Sequence, residues 1–89
     1  MNFTFDPEKR QINLRKHGLD LADAAIVFSG VTFTRPDHRF QYNEMRFSTT
    51  GLLGVEVVVM AHTEEHDTIR VISMRKAERH EREAYFTIL

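Results

Sequence analysis

Val55-Glu56-Val57-Val58-Val59-Met60-Ala61-His62-Thr63 is the most apolar stretch of the chain, and Val57 to Ala61 are five apolar residues in succession. A short, β-branched run of this kind reads as a strand buried on both faces, hence one with neighbours on either side, because the same run on an edge would invite aggregation. Working outward, Leu52-Leu53-Gly54 is a turn preceded by a strand from Arg46 to Thr50. On the other side, Glu64-Glu65-His66-Asp67 is a polar connection into a last strand, Thr68 to Arg75. Further upstream Val31, Phe33, Phe40 and Tyr42 flank Arg35-Pro36-Asp37-His38, a loop or hairpin turn between extended pieces. Residues 32–75 are therefore expected to form one antiparallel sheet with Val55–Thr63 in its middle.

Helices bracket this β-rich centre. Asn2 to Phe5 alternates as a brief strand, and Asp6-Pro7-Glu8 then combines an N-cap acceptor, a first-turn proline and an acid at the positive end of a helix dipole. That helix is expected to run to about His17, where Gly18 stops it. Asp20 caps a second, with Leu21, Ala24, Ala25 and Phe28 at the spacing of one buried face and Gly30 at its end. Lys76 to Ile88 reads as a final helix with the stripe Ala77, Ala84, Tyr85, Ile88. The expected fold is α+β: a short N-terminal strand, two helices, three to four further antiparallel strands and a C-terminal helix.

At 89 residues the chain suits a single domain over 1–89, with 42% hydrophobic and 28% charged residues, a globular and not a disordered composition. So small a core would lean on its seven Phe and two Tyr. The absence of cysteine removes disulfides and thiolate metal sites, which favours a reducing cytoplasm. No signal peptide or membrane span is expected, since the longest apolar run is far below the ~20 residues a span needs. The net charge of −1 hides a weak asymmetry: residues 1–20 and 68–89 carry +1 and +2, and residues 21–67 carry −4.

His62-Thr63-Glu64-Glu65-His66 matches H-x-x-E-H, a zinc-binding pattern that requires a helix. Here it straddles a strand end and a turn, so a solvated hairpin is expected and no metal is assigned. The cations on ordered elements are more informative. Lys16 and His17 end a helix, where the dipole favours positive charge. Glu78 with Arg82 and Arg79 with Glu83 are i, i+4 pairs that suit a solvated helix face. Strand alternation puts Arg75 with Ile69, Val71 and Ser73, and Arg70 on the opposite face with Ile72 and Met74. Glu81 lies near the apolar stripe of the last helix, at its edge or paired with a strand arginine.

Together Phe3-Thr4-Phe5-Asp6-Pro7-Glu8-Lys9, Asn13-Leu14-Arg15-Lys16-His17-Gly18, Ala24-Ala25-Ile26-Val27-Phe28, Glu44-Met45-Arg46, Ile69-Arg70-Val71-Ile72-Ser73-Met74-Arg75-Lys76-Ala77 and Glu81-Arg82-Glu83-Ala84-Tyr85 resemble the BrnT toxin family, in order and spacing over nearly the whole chain. The resemblance implies a RelE-like fold and a cytoplasmic ribonuclease toxin of a type II toxin–antitoxin system that shuts down translation. It also implies a cognate BrnA-type ribbon-helix-helix antitoxin that represses their shared promoter, so that DNA is reached only through the complex, expected as a heterotetramer of two toxins and two antitoxins. Two positions depart from the pattern. Phe5 stands where many members carry Trp, and Glu65 where many carry Arg, an inversion of charge at an RNA-contacting position.

Metal-independent RNA cleavage needs a proton acceptor for the 2′-OH, cations for the phosphorane and a donor for the leaving 5′-oxygen. Arginine supplies the cation but not the base. His17, Glu44 and Tyr85 are the candidates for proton transfer. Arg75, in an S-x-R pattern, is the first choice for charge stabilisation, Arg46, in E-x-R, the second, with Lys16, Arg70, Arg79 and Arg82 as RNA contacts. Neither a cofactor nor a metal enters this scheme. Two other readings compete: a BrnT-like module that has lost cleavage and acts with its antitoxin in DNA-binding autorepression, and a RelE-fold toxin with a target other than RNA. An antitoxin is expected to cover the first two helices together with the arginine-bearing strands.

Overall fold

The structure is a computed structural model that describes residues 1–38 and 44–89. Its elements in order are β1 (Asn2–Phe5), α1 (Pro7–His17), a 3-10 turn (Leu21–Asp23) running into α2 (Ala24–Phe28), β2 (Phe33–Pro36), β3 (Arg46–Leu53), β4 (Glu56–Glu65), β5 (Thr68–Lys76) and α3 (Arg79–Ile88). The sheet order is β1-β5-β4-β3-β2, so the apolar run lies on the central strand. Strands β2 to β5 pair antiparallel, as their alternation predicts, while β1 pairs parallel with β5 and makes the sheet mixed. The extended piece expected at Phe40 and Tyr42 lies outside the described residues.

Val57, Val58, Val59 and Met60 are all buried, alternately toward two apolar layers. Val58 and Met60 join Ile69, Val71 and Met74 against Leu19, Leu21, Ala24 and Val27, with Phe3, Phe5, Phe28 and Leu53 at the margin. On the opposite face Val57 and Val59 meet Ala77, Tyr85 and Leu52. The core is mainly aliphatic, contrary to the expectation from composition. Phe33 and Phe86 are exposed, and the margin-packed Phe residues are only half-buried.

Asp6 caps α1 by accepting from the Glu8 N–H at 2.8 Å, and Gly18, at φ 68°, ends it with its N–H on the Leu14 carbonyl. Asp20 caps the 3-10 turn through the Ala22 N–H and accepts the Arg10 guanidinium on both oxygens at 2.8 Å. The second helix is shorter than expected, and its buried positions are Leu21, Ala24 and Val27, with Ala25 exposed. Because a 3-10 start turns three residues per turn, side chains at i, i+3 and i+6 align. Gly51 is what lets α2 settle on β3, since a Cβ there would stand 2.6 Å from Val27 Cγ1.

Two boundaries at the C-terminal side differ from expectation. Strand β5 continues to Lys76, paired with Val58, and α3 starts at Arg79 behind a capping box of Glu78 and Glu81. The pairing of β4 with β5 slips between Ala61 and His62: Ala61 faces Ser73 and His62 faces Val71, which leaves Ile72 as an extra residue. A bulge of this kind inverts alternation beyond it. Arg75 therefore leaves the face of Ile69 and Val71 and joins Arg70 on the other, overturning the expectation of opposite faces.

Candidate functional site

The register assembles one open region on the α3 side of the sheet. Arg35, Ser48, Ala61 and Ser73 form a cross-strand row, a floor of small side chains with a cation at the β2 edge. The row nearer α3 is Phe33, Thr50, Val59 and Arg75. The row on the far side is Arg46, Thr63 and Arg70, with Thr4 of β1 beyond it. Neighbouring strands lie about 4.8 Å apart and same-face residues about 6.7 Å apart along a strand, so four arginines from three strands surround the small-residue floor. Helix α3 covers the end holding Val57, Val59 and Leu52 and borders Phe33, Arg35 and Thr50.

Two concavities border this floor. One, of about 370 Å³, is lined by Arg35, Pro36, Asp37, His38, Ser48, Arg75 and Glu81. The other, of about 360 Å³, is lined by Thr4, Glu44, Thr63, Glu65, His66, Thr68 and Arg70.

Arg75 is held by a two-pronged ion pair. Its Nη1 and Nη2 donate to Glu81 Oε1 and Oε2 at 2.7 and 3.0 Å, and Nη1 also reaches the Lys76 carbonyl at 3.3 Å. Glu81 is anchored in turn by accepting the Glu78 N–H at 2.8 Å. The Arg75 fork, more than any other influence, holds the Glu81 carboxyl down to about 2. Glu81 thus pairs with a strand arginine, one of the two placements its sequence position suggested. Arg46 approaches Glu44 at 3.5 Å. Arg35 and Arg70 are exposed and make no hydrogen bond or ion pair among the described residues.

The other candidates lie elsewhere. Tyr85 is 2% exposed and its hydroxyl donates to the Val31 carbonyl at 2.6 Å, tying α3 to the segment before β2. His17 and Lys16 end α1, which packs on the opposite face of the sheet. Arg79 pairs with Glu83 at 3.0 Å as the i, i+4 spacing predicts. Arg82 does not pair with Glu78; it donates to the Ala77 carbonyl at 2.9 Å, because Glu78 is used in the helix cap. The structure therefore brings together Arg75, Arg46 and Arg70, with Glu44 at the margin, and does not bring His17, Lys16 or the Tyr85 hydroxyl to them.

The H-x-x-E-H stretch does straddle a strand and a turn, but it is not solvated throughout. His66 is exposed at φ 56°, whereas His62 is fully buried, with Nε2 2.6 Å from Thr49 Oγ1, and Thr49 Oγ1 2.7 Å from Thr34 Oγ1. Burial pushes the His62 imidazole down to about 4. Among the described residues no group of three or more His, Asp or Glu is placed to hold a metal ion.

Sequence reasoning missed Arg35, His38 and Ser48. The signal was present in Phe33-Thr34-Arg35, whose alternation sends Arg35 to the same side as Phe33, but Pro36 and Asp37 drew the segment toward a turn. As a chemical unit the region offers cations for an anionic backbone, hydroxyl donors on the floor and the imidazoles of His38 and His66 in the two bordering concavities.

Residues 5–81 match the family model described as "Ribonuclease toxin, BrnT, of type II toxin-antitoxin system". No curated protein matches the chain.

Proposed function

The chain belongs to the BrnT family of ribonuclease toxins of type II toxin–antitoxin systems, and from that premise we propose that it is an endoribonuclease that cuts RNA on the open face of its sheet, without a metal ion, and so stops translation. The observation that carries this reading is the convergence of Arg35, Arg46, Arg70 and Arg75 around Ser48, Ala61 and Ser73. Arg75 and Arg46 stabilise the charge of the phosphorane, and Arg35 and Arg70 hold the flanking phosphates. Small side chains between them let a phosphate approach the sheet backbone closely. Lys16, Arg79 and Arg82, off this floor, act at most as distant steering charges.

The partner of such a toxin is an antitoxin. We assign it, more narrowly, to the BrnA-type ribbon-helix-helix class: a dimer that silences two toxins in the cytoplasm, the complex reaching DNA through the antitoxin alone. The test of the toxin reading is induced expression in a bacterial host together with incubation of purified protein with RNA in EDTA. Growth arrest and EDTA-resistant cleavage are expected; intact RNA in both settings would sink the reading.

One observation favours the second reading, a module weakened in cleavage that works through its antitoxin. Glu65 lines the same concavity as Arg70 and opposes its charge. Replacing Glu65 by Arg discriminates: increased cleavage supports a weakened nuclease, and inert RNA in both forms supports the binding module.

A further inference from the structure

Cleavage through the 2′-OH requires a group that takes up its proton, and none of the three candidates read from the sequence is suited to the floor. Tyr85 spends its hydroxyl on a backbone carbonyl, His17 is on the opposite face, and Glu44 faces Arg46. The concavity beside Arg75 carries three groups able to accept a proton: Asp37, His38 and Glu81. Glu81 has both oxygens on the Arg75 fork and stays ionised far below neutral pH, which makes it a poor proton acceptor. His38 is exposed at the rim, two residues past the end of β2, with Arg35 from β2, Asp37 from its own segment, Arg75 from β5 and Glu81 from α3 around the same space, and Ser48 in the same lining. Imidazole is the side chain best able to accept a proton and return it near neutral pH.

We propose that His38 is the catalytic base of this site and that a single-stranded RNA phosphate sits between it and Arg75, over Ser48. The inference rests on the reading of the protein as an RNA-cleaving enzyme. His38 takes the proton of the 2′-OH as the 2′-oxygen bonds to phosphorus, and the bond from phosphorus to the 5′-oxygen breaks. The departing 5′-oxygen takes a proton from water. The products are a 2′,3′-cyclic phosphate and a 5′-hydroxyl end, and the imidazolium returns its proton to solvent, so protons and electrons balance. Arg75 carries the added negative charge of the phosphorane, Arg35 holds a flanking phosphate, and Ser48 donates to a non-bridging oxygen.

The experiment uses the full chain and a fluorescein-labelled, mixed-sequence RNA oligonucleotide pool, with an all-2′-deoxy pool as the uncleavable probe of affinity. His38→Gln is expected to bind the deoxy pool within about twofold of the parent, while single-turnover cleavage falls by ~10² to 10⁴, the usual contribution of a positioned acid or base. Added imidazole partly restores cleavage in His38→Gly. Cleavage by His38→Gln at the parental rate, or a loss of affinity equal to the loss of rate, overturns the assignment while leaving the ribonuclease reading intact. Loss of cleavage in Asp37→Asn, with His38→Gln active, moves the base to Asp37. Failure of the parent to cut RNA removes both.

Discussion

At the scale of single residues, Arg75 gains its direction from Glu81. A two-pronged pairing fixes the plane of a guanidinium in a way one contact cannot, and because the Glu81 carboxyl is held near 2 the fork survives mildly acidic conditions. Arg75→Ala is expected to reduce RNA cleavage by ~10² to 10³, the scale of losing one preorganised donor to a transition-state charge. Arg75→Lys should recover little, since an ammonium cannot make the fork. Both are read by cleavage assay beside a thermal melt. Glu81→Gln should lower the turnover of RNA more than its binding, because it frees the aim of Arg75 without removing its charge. His62 makes a separate prediction about stability. Its imidazole has an ordinary value of 6.5 and a folded value of about 4, so the unfolded chain binds its proton more readily. Stability is full above the ordinary value and declines as pH falls toward the folded one, by up to about 3 kcal/mol at 1.36 kcal/mol per unit. Urea titrations between neutral pH and the folded value should show this decline, and His62→Leu should flatten it, with Thr49 retaining Thr34 as partner.

At the scale of elements, two polar or small residues decide how helices meet the sheet. Strand β1 pairs with β5 only as far as Val71, and beyond it the side-chain amide of buried Asn13 continues the ladder. Its Oδ1 accepts the Met74 N–H at 3.0 Å, and its Nδ2 donates to the Met74 and Leu19 carbonyls at 2.8 and 2.9 Å. Asn13→Ala strands three buried backbone groups, and at ~1 to 3 kcal/mol for each such group even partial rehydration leaves a loss of several kcal/mol, measurable as a lowered urea midpoint. Gly51→Val would drive a side chain into Val27 where α2 rests on β3, at a cost of about 1 to 3 kcal/mol. Residue types announced most of these elements, since caps, Gly18 and period-two runs are local signals. The 3-10 phase of Leu21, Ala24 and Val27 was not announced, because a 3-10 and an α start share the same N-cap signal at Asp20.

At the scale of the whole molecule, the two faces of the sheet are covered unequally. Helices α1 and α2 cover one side of the sheet, and the four arginines occupy the uncovered part of the other. The expectation that an antitoxin lies over the first two helices and the arginine strands together therefore meets a geometric obstacle, because these are opposite layers; silencing the site requires only the α3 side. If four arginines contact single-stranded RNA, log affinity should fall with log salt at a slope of about −3, at ~0.7 per phosphate contact. Arg70→Ala should flatten that slope by about 0.7, and Glu65→Arg should steepen it, both measurable by anisotropy across a salt series. What the sequence determined by itself was the α+β order and the central place of Val57 to Ala61, because apolar runs, caps and turn residues act over a few neighbours and carry their own energetic reasons. What only the tertiary structure decided was which side chains share a site. The extra residue at Ile72 reverses the alternation of β5 and brings Arg75 to the face of Arg70, and cross-strand register sets Arg35 and Ser48 beside them. Register and bulges are fixed by pairing between segments far apart in the chain, and no local pattern encodes them.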